Sequence, residues 1–339
     1  MGIFEEVKEY VRCRKYRVAM GLPETVIEDY TPLAQGEYNV NYAFVHPLTK
    51  RKLVLRVNCG SQMHLDNQIE YEANALNLLS KSGRTPAVYY VDGSKEAPGN
   101  GVLVMDYIPG DSLDYRMEEH LAGAAECLAD IHSVSMPADH GLVEPANSLK
   151  AIADECEEML AVYLESNLST QSKKDRLRKL LDEACTLIPE GADTNNYKCC
   201  INTELNSTNF LVEDGTVRLV DWEKPLYGDP AQDLGHFLAP TTSFWKTDII
   251  FDSDIIESFI RQYIEAVDGR FDTSGIRERT LAFITITCLR GMTWCAMAWV
   301  QYQGEDKTIT NDSTWHKLNQ YLSEDFIALV ESEVHKAME

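Results

Sequence analysis

The chain has 339 residues, a length that favours two lobes because it exceeds one minimal domain and falls short of three. Its hydrophobic content of 44% supplies a large core, and its formal net charge of −23 argues against nucleic acid as a partner, because the phosphates would be repelled. Nine scattered cysteines, with no C-x-x-C pair, indicate neither a zinc site nor a thioredoxin-like motif. Free thiols suit a reducing cytoplasm.

Two stretches bear on contact with a membrane. The N-terminal stretch MGIFEEVKEY has no apolar signal core. The apolar run 281–300 is near membrane-spanning length, but it contains Arg290 and several polar residues. No second run of this kind accompanies it, so we expect a buried helix, no membrane partner and a cytoplasmic location.

The first third of the chain predicts a twisted antiparallel sheet with one helix. Residues 38–47 and 51–58 are rich in strand formers, and the stretch LTKR between them is a plausible hairpin connection. Apolar residues at helical spacing then predict a helix over 66–83, which stops at its final glycine. Two further strands are expected at 86–92 and 101–108.

From about residue 117 onward helices prevail, with one short hairpin among them. Two strand-like runs, 209–214 and 216–222, form this hairpin around an Asp-Gly turn. After residue 229 the pattern is helical apart from a polar loop at 303–314. His132, beside an apolar stripe, is expected to pack in the core. The helices predicted before the hairpin span 118–134, 148–166 and 173–188.

This change of pattern predicts the fold class and the lobes. Strands followed by helices are typical of an α+β protein with a ligand cleft between two parts. The small antiparallel β-sheet N-lobe is expected at 1–106 and the larger, mainly helical C-lobe at 107–339.

Asp221 and Asn209 occupy the outer ends of the predicted hairpin. Asp221 ends the apolar strand VRLVD, and Asn209 opens the preceding strand twelve residues earlier. A tight turn brings such ends together, so the two side chains approach each other in space. One amide oxygen and one carboxylate suit Mg²⁺ that carries nucleotide phosphates. Taken singly, each residue is more often a local cap.

The spacing around this hairpin resembles that of kinases. Protein kinases end their catalytic loop in Asp-x-x-x-x-Asn and continue through a hairpin to a metal-binding Asp. Glu204 and Asn209 have the first spacing here, and Asp221 has the second. The run INTELNSTNFLVEDGTVRLVDWEKPLYGDPAQDLG resembles the catalytic segment of aminoglycoside phosphotransferase and choline kinase-like enzymes, most specifically in Asp-Trp-Glu and Gly-Asp-Pro.

This resemblance implies a two-lobed protein-kinase-like fold and an ATP-dependent phosphotransferase that uses Mg²⁺ and acts on a hydroxyl of a small molecule. Glu204 would be the catalytic base, and Asn209 and Asp221 would hold the metal. A protein kinase is the less favoured alternative, because Asp-Trp-Glu replaces Asp-Phe-Gly and the helical lobe lacks an Ala-Pro-Glu segment.

The resemblance extends to the N-lobe. QGEYNVNYAF matches the family's shortened phosphate loop at Gly36, Asn39 and Tyr42, although hairpins also use glycine routinely. Arg56 ends LVLR where the family has its phosphate-binding Lys, and a permanent cation can still hold phosphate oxygens; the alternative is an exposed strand arginine. Glu72 lies on the apolar stripe of its helix, so it needs a partner such as Arg56 unless it reaches solvent at the edge of the stripe.

Two more segments resemble parts of the family site. VMDYIPG resembles the linker between the lobes, where backbone groups near Asp106 and Ile108 would bond the adenine ring. In GDPAQDLG, Asp229 followed by proline predicts a helix N-cap, with Gln232 completing a capping box. By resemblance, Asp233 braces the catalytic loop through hydrogen bonds.

The catalytic loop departs from the family pattern His-Gly-Asp-Leu-His-x-x-Asn. Asn202 replaces the first His, Thr203 the Gly and Glu204 the Asp, and Asn206 stands where a second His is common. A base must lie within hydrogen-bond reach of the acceptor hydroxyl, and Glu204 is one methylene longer than Asp. Three alternatives follow: a kinase with Glu204 as base, a weak kinase that relies on Mg²⁺ and positioning, or a nucleotide-binding pseudokinase or regulatory binding protein with little or no turnover.

The acceptor pocket is expected among the helices after residue 229. By resemblance, its ligand is an amino sugar, choline, a thioribose sugar or an amino alcohol. Acidic residues there would favour a cationic small molecule, or would form a solvated face, which is the commoner case. These residues are Asp248, Asp252, Asp254 and Glu257.

Overall fold

The computed structural model describes residues 3–26, 28–36, 38–61, 63–96, 99–191, 196–304 and 312–338. It confirms the α+β class, with a five-stranded antiparallel sheet followed by a mainly helical region. The strand order is β1-β2-β3-β5-β4. The strands are β1 (Thr31–Gln35), β2 (Asn39–Val45), β3 (Lys52–Asn58), β4 (Val88–Asp92) and β5 (Gly101–Asp106).

The central strand β3 explains why its sequence is almost continuously apolar. Leu53, Leu55 and Val57 face an outer core, whereas Val54 faces an inner core, so both faces of the strand are buried. The edge strand β1 was not predicted. All five of its residues are exposed and it contains Pro32, which a sheet tolerates at an edge.

Two N-terminal helices cover the outer face of the sheet, and the sequence did not predict them. They are short, and their burial depends on tertiary contacts rather than on a long apolar stripe. Tyr16 is fully buried against the sheet, and Arg17 forms a buried ion pair with Glu28 at 3.1 Å. The helices are α1 (Ile3–Tyr10) and α2 (Arg14–Ala19).

Helix α3 (Gln68–Leu79) packs on the inner face of the sheet, as predicted. Its N-terminus is capped by the Asn67 side chain, and a short 3-10 turn leads to Gly83, whose φ of 67° ends the helix. Its buried residues Ile69 and Leu76 belong to the same core as the helices of the C-terminal region. The lobe boundary after residue 106 stays a prediction, because this core is continuous.

Short strands pair with one another outside the five-stranded sheet. The predicted hairpin is present, with Phe210 opposite Leu219 and positive φ at both turn residues, Asp214 and Gly215. β7 pairs with β10, and β6 pairs with β8. The strands are β6 (Asp111–Ser112), β7 (Cys199–Ile201), β8 (Phe210–Glu213), β9 (Thr216–Leu219) and β10 (Leu226–Gly228).

The long helix α10 is the centre of the helical region and packs against α5, α6, α7, α8, α11 and α12. It is long and apolar enough to cross a membrane, yet 67% of its most apolar stretch is buried inside the protein, as predicted for a core helix. Most of the predicted polar loop 303–314 lies outside the described residues. The helices are α4 (Glu118–His132), α5 (Ser148–Glu165), α6 (Gln171–Cys185), α7 (Pro230–Leu238), α8 (Pro240–Thr247), α9 (Ser253–Val267), α10 (Ile276–Tyr302), α11 (Asp312–Tyr321) and α12 (Glu324–Met338).

The crossing of α7 and α10 gives a test of this packing. A Cβ added at Gly235 would lie 2.8 Å from the carbonyl carbon of Phe283 and 2.9 Å from the nitrogen of Ile284, and backbone cannot easily move away. We expect Gly235→Ala to lower the free energy of unfolding by about 1–3 kcal/mol despite the better helix propensity of alanine. Urea denaturation measures this change. Gly36→Ala is the matched control, because its added Cβ would meet only the Asn39 carbonyl, at 3.8 Å.

Candidate active site

Arg56 joins the sheet to the helical region through three carboxylates. Its Nη1 donates to Glu72 Oε1 at 2.6 Å, so the predicted contact with Glu72 is present. Its Nη2 donates to Asp221 Oδ1 at 3.2 Å, and Nη1 lies 3.9 Å from Glu223 Oε1. Nε donates to Asn41 on the neighbouring strand at 3.0 Å. The side chains of Arg56 and Glu72 are 6% and 1% exposed, whereas that of Asp221 is 40% exposed.

The charges of this cluster do not balance. Burial opposes the charge of Arg56, but Glu72, Asp221 and Glu223 outweigh it and keep the Arg56 pKa above its ordinary value. Burial raises the pKa of Glu72, although the attraction of Arg56 opposes that rise. Burial and repulsion by Asp221 together raise the pKa of Glu223 to about 7, against the attraction of Arg56. One guanidinium therefore faces three carboxyl groups, and this excess of acidic groups would favour the binding of a further cation.

The sequence brings these groups together through one buried tryptophan. Trp222 is fully buried, and its Nε1 donates to the Leu219 carbonyl at 3.3 Å. Its neighbours in the sequence, Asp221 and Glu223, both contact Arg56, which lies on strand β3 of the sheet. Asp221 has a φ of 67°, a left-handed conformation that is uncommon for residues other than glycine.

The predicted phosphate loop connects β1 to β2. The Gly36 N–H donates to the Asn39 carbonyl at 2.9 Å, and the Asn39 side chain contacts both Asn58 and Glu223. Asn39 thus links the loop to the acidic cluster. Tyr42 has a different position from the one its motif implies, because it is buried in the outer core and stacks on Phe4.

The predicted linker begins where β5 ends. The Asp106 side chain accepts hydrogen bonds from the Tyr89 hydroxyl at 2.8 Å and from the Ala87 N–H at 3.2 Å, which fixes the start of the linker. Within the described residues, no hydrogen bond uses the backbone of Ile108. Its N–H and C=O are therefore available to a ligand.

Asp233 fixes the backbone of the loop that contains Glu204. Its carboxylate accepts the Asn202 N–H at 2.8 Å and the Thr203 N–H at 2.7 Å. The third contact is His132 Nε2 at 3.1 Å, and His132 also bonds Tyr263 through Nδ1. His132 is fully buried, so it is a core histidine, as predicted.

The residues that replace the family pattern make contacts of their own. The Asn202 amide donates to the Asp221 carbonyl at 2.8 Å. Thr203 has a φ of 70°, which is strained for a β-branched residue, and its hydroxyl donates to the Lys224 carbonyl at 2.8 Å. Both side chains connect the loop to the segment around Asp221.

Asn209 lies beside Asp221 in the hairpin, as its spacing predicted. Its carbonyl accepts the N–H of Val220, next to Asp221, at 2.9 Å. Its side-chain amide donates to the Glu204 carbonyl at 3.0 Å, and its Oδ1 makes no hydrogen bond within the described residues. Asn209 therefore supports the Glu204 loop through its amide group, while its side-chain oxygen stays without a hydrogen bond in the described part of the chain.

Glu204 lies at the wall of a cavity of about 790 Å³. Its Oε1 is 3.4 Å from Arg290 Nη2. Arg290 Nε donates to Glu155 at 3.0 Å, and Lys224 also contacts Glu155, at 3.2 Å. Two cations and two carboxylates thus alternate beside the loop. Apolar and aromatic side chains form other parts of the wall, among them Ile152, Met159, Trp245 and Trp294.

The four acidic residues after position 247 do not line this cavity. Asp248 contacts Lys317, Asp252 caps α9, and Glu257 pairs with Arg277. The solvated-face alternative is therefore correct for these residues, and they give no support to a cationic acceptor.

Asp229 caps α7 as predicted, accepting the Ala231 N–H at 2.9 Å, and it also pairs with Arg279. The expected capping box is incomplete. The side chain of Gln232 does not return to Asp229, and its Oε1 is buried without a hydrogen bond to any residue in the described ranges. Gln232 instead contributes to the wall of the cavity.

Sequence reasoning missed four residues of the site. Glu223 is the third residue of Asp-Trp-Glu, so its position beside Asp221 was a usable signal. Arg290 was seen only as a polar interruption of an apolar run, and a buried charge in such a run requires a partner. No local sequence pattern identifies Glu155, which pairs with Arg290, or Lys224, which pairs with Glu155, because these residues come from distant parts of the chain.

Replacement of Glu72 tests the ion pair. We expect Glu72→Gln to lower the free energy of unfolding by about 3 kcal/mol, because it leaves a buried guanidinium with weaker compensation. The measurement is urea denaturation at pH 7. Glu70→Gln, on the exposed face of the same helix, is the control and should stay within about 0.5 kcal/mol of wild type. Equal stability of the two variants would contradict the pairing.

His236 gives a prediction for pH. Its Nδ1–H donates to the Leu205 carbonyl at 2.9 Å, next to Glu204. Burial and the nearby charge of Arg290 lower the His236 pKa to about 4, from an ordinary 6.5. The unfolded chain therefore binds this proton more readily, so the stabilisation is present above pH 6.5 and is lost as the pH falls through about 4.

His236→Gln should accordingly show a shallower loss of stability than wild type between pH 6.5 and 4. Denaturation curves at several pH values in that interval measure the slope. His335→Gln, at an exposed position of α12, should follow the wild-type slope. Parallel slopes for wild type and His236→Gln would show that the imidazole does not titrate as proposed.

Solved structures of small-molecule kinases share this fold. A protein of Ralstonia eutropha JMP134, provisionally assigned as an aminoglycoside phosphotransferase, superposes with a TM-score of 0.70 at 14% identity over 98% of both chains. Spectinomycin phosphotransferase in complex with ADP and spectinomycin gives 0.64 at 11% identity, again over 98% of both chains. Choline kinase from Cryptosporidium parvum gives 0.64 at 12% identity, over 98% of this chain and 97% of that one.

At such identities the structural likeness shows the fold alone, and it confirms the two-lobed protein-kinase-like prediction. None of the curated protein sequences matches this chain significantly. The sequence profile of the phosphotransferase enzyme family, however, matches residues 29–278, which is most of the chain and includes both Arg56 and Asp233. The chain therefore belongs to the phosphotransferase enzyme family.

Proposed function

We propose that this protein is an ATP-dependent kinase that transfers the γ-phosphoryl group to a hydroxyl of a small molecule bound beside Glu204. The observation that supports this most strongly is the convergence of Arg56, Glu72 and Asp221 from three separate elements, at 2.6 and 3.2 Å. A strained Asp at the end of a hairpin and a cation clamped by a buried Glu form a phosphate-handling arrangement rather than a packing contact.

In this proposal the nucleotide lies between the sheet and the Glu204 loop. Arg56 contacts phosphate oxygens, because a guanidinium suits them and Glu72 holds it in place. The loop from Gly36 to Asn39 covers the phosphates. The backbone of Ile108, which has no hydrogen bond within the described residues, bonds the adenine edge, next to Asp106.

The donor set fits Mg²⁺. Asp221 and Asn209 each present a hard oxygen, and the excess of carboxyl groups around Arg56 favours an added cation. Within the described residues, no group of three or more His, Cys, Asp or Glu could hold a metal by itself. Mg²⁺ typically takes one or two carboxylates and completes its shell with phosphate and water. When bound, it would neutralise charge that develops on the transferred group.

Glu204 is the proposed base. Its loop is fixed by Asp233, its side chain is 34% exposed, and it borders the cavity. In the transfer, a bond forms between the acceptor oxygen and the γ-phosphorus while the bond from phosphorus to the leaving oxygen of ADP breaks. The hydroxyl proton passes to the carboxylate of Glu204.

The pseudokinase alternative has one specific observation in its favour. Arg290 lies 3.4 Å from the Glu204 carboxylate, and this ion pair occupies a carboxylate that would have to contact the acceptor hydroxyl. In this alternative Asp221 and Asn209 still hold a metal-bound nucleotide, and the cavity binds a ligand without phosphorylating it.

Two variants distinguish these proposals. Metal ligands contribute to nucleotide affinity whether or not an acceptor is present, whereas a base acts only when a hydroxyl loses its proton. Asp221→Ala should therefore abolish the Mg²⁺-dependent rise in melting temperature that ATP causes. Glu204→Gln should keep that rise and lower the rate of ADP release about 100-fold or more. Thermal shift and ADP release are measured on wild type and both variants.

Asp214→Ala, in the turn at the far end of the same hairpin, is a control for indirect effects of hairpin mutation. It should retain both the thermal shift and turnover. A wild-type thermal shift without turnover on a broad acceptor panel would favour the pseudokinase alternative. No shift with any nucleotide, with or without Mg²⁺, would contradict both proposals.

A further inference from the structure

The wall of the cavity beside Glu204 contains two cations that share one carboxylate. Arg290 Nε and Lys224 Nζ both contact Glu155, at 3.0 and 3.2 Å. Their side chains are 21% and 15% exposed, and both line the cavity. Burial opposes the charge of Arg290, but Glu204 and Glu155 keep its pKa above the ordinary value. The Arg290 guanidinium is therefore charged, and both side chains are partly desolvated.

These cations retain donors that the protein does not use. A guanidinium has five N–H donors, and those of Arg290 reach only Glu155 and Glu204; Nη1 makes no hydrogen bond within the described residues. An ammonium has three donors, and among the residues that the structure describes that of Lys224 reaches only Glu155. Partly buried cations with open donors are complementary to an anion, especially where the arginine fork can bind two oxygens.

We infer that the acceptor carries an anionic group, a carboxylate or a phosphate, in addition to the hydroxyl that receives the phosphoryl group. The inference rests on the proposed function and names the substrate class for the same site. The anion binds Arg290 and Lys224, and the hydroxyl lies toward Glu204. The cavity of about 790 Å³ has room for a sugar acid or a molecule of similar size.

A purely cationic acceptor is the main rival, and the charges oppose it. Of the carboxylates in the cavity wall, Glu155 contacts two cations and Glu204 contacts one. Glu158 is exposed at the rim. Trp245 and Trp294 offer aromatic faces, but a cation there would reach Glu155 and Glu204 only by competing with the positive partners that these two carboxylates already have.

An anion on Arg290 would also prepare Glu204 for its proposed role. The contact between Arg290 and Glu204, at 3.4 Å, is longer than the one between Arg290 and Glu155, at 3.0 Å. A ligand anion competes with Glu204 for the guanidinium and so weakens the contact between Arg290 and that carboxylate. Phosphoryl transfer then proceeds with the bond changes described above, and the hydroxyl proton goes to Glu204.

The test compares acceptors with and without a carboxylate or a phosphate group. ADP release with Mg²⁺ and ATP is measured for the full chain with gluconate, glucose 6-phosphate and glucose, with serine and serinamide, and with choline and kanamycin. We expect the member that carries a carboxylate or phosphate, in at least one set, to exceed its partner without that group by at least about 30-fold in kcat/KM. Preference for gluconate or serine indicates a carboxylate site, and preference for glucose 6-phosphate indicates a phosphate site.

Arginine variants then locate the preference. Arg290→Gln should remove it, mainly by raising KM, and Arg290→Lys should restore part of it because the charge remains without the fork. Arg277→Gln, an exposed ion-pair position on the same helix, is the matched control and should keep the full preference. Should Arg290→Gln fail to fold, Lys224→Gln takes its place, with the same expected loss.

Binding provides a second measurement that does not depend on turnover. Melting temperatures are recorded for the same compounds in the presence of Mg²⁺ and a non-hydrolysable ATP analogue. If no compound with a carboxylate or phosphate binds or reacts better than its partner without that group, or if choline or kanamycin is preferred, the inference is wrong. In that case a thermal shift with nucleotide would still support the proposed kinase function. If the nucleotide gives no thermal shift, the proposed function itself is contradicted.

Discussion

The buried carboxylate of Asp233 is the interaction on which the geometry of the site depends. Asp233 has no solvent exposure, and such a charge is costly unless hydrogen bonds compensate it. The N–H groups of Asn202 and Thr203 and the ring of His132 supply that compensation, from the loop and from α4. Because the backbone is fixed in this way, Glu204 can extend into the cavity while the loop itself stays in place. Helices α4 and α7 therefore determine where the proposed base lies.

Arg56 makes the corresponding connection from the other side. It binds Glu72 within the N-terminal region and Asp221 beyond β9, so a single guanidinium joins the sheet to the hairpin. The carboxyl groups around it exceed its own charge, and burial together with repulsion by Asp221 raises the pKa of Glu223 to about 7. A cluster built only for stability would gain from balanced charges. The imbalance is explained if a further cation joins the cluster when a ligand binds.

The parts of the structure that the sequence predicts are those with a local or periodic signal. The hairpin with its Asp-Gly turn and the apolar stripe of α3 follow from such signals, and the contact of Glu72 with Arg56 follows from a carboxylate on that stripe. Strand β1 has no apolar alternation because all its residues are exposed. The role of Arg290 depends on Glu155, which lies 135 positions away, and no local pattern encodes that contact. Distant ion pairs therefore set the limit of sequence reasoning about the cavity.

The departures of the catalytic loop from the family pattern have a structural explanation. A loop that had merely lost its function would leave the new polar groups without partners, at a cost in stability. Here the amide of Asn202 donates to the carbonyl of Asp221, and the hydroxyl of Thr203 donates to the carbonyl of Lys224, both at 2.8 Å. These bonds offset the strain of a threonine at a φ of 70°. They also tie the loop to the two residues proposed to hold the metal and the acceptor anion. Contacts between the loop and residues that are proposed to bind ligands are better explained by continued ligand binding at this site than by loss of function.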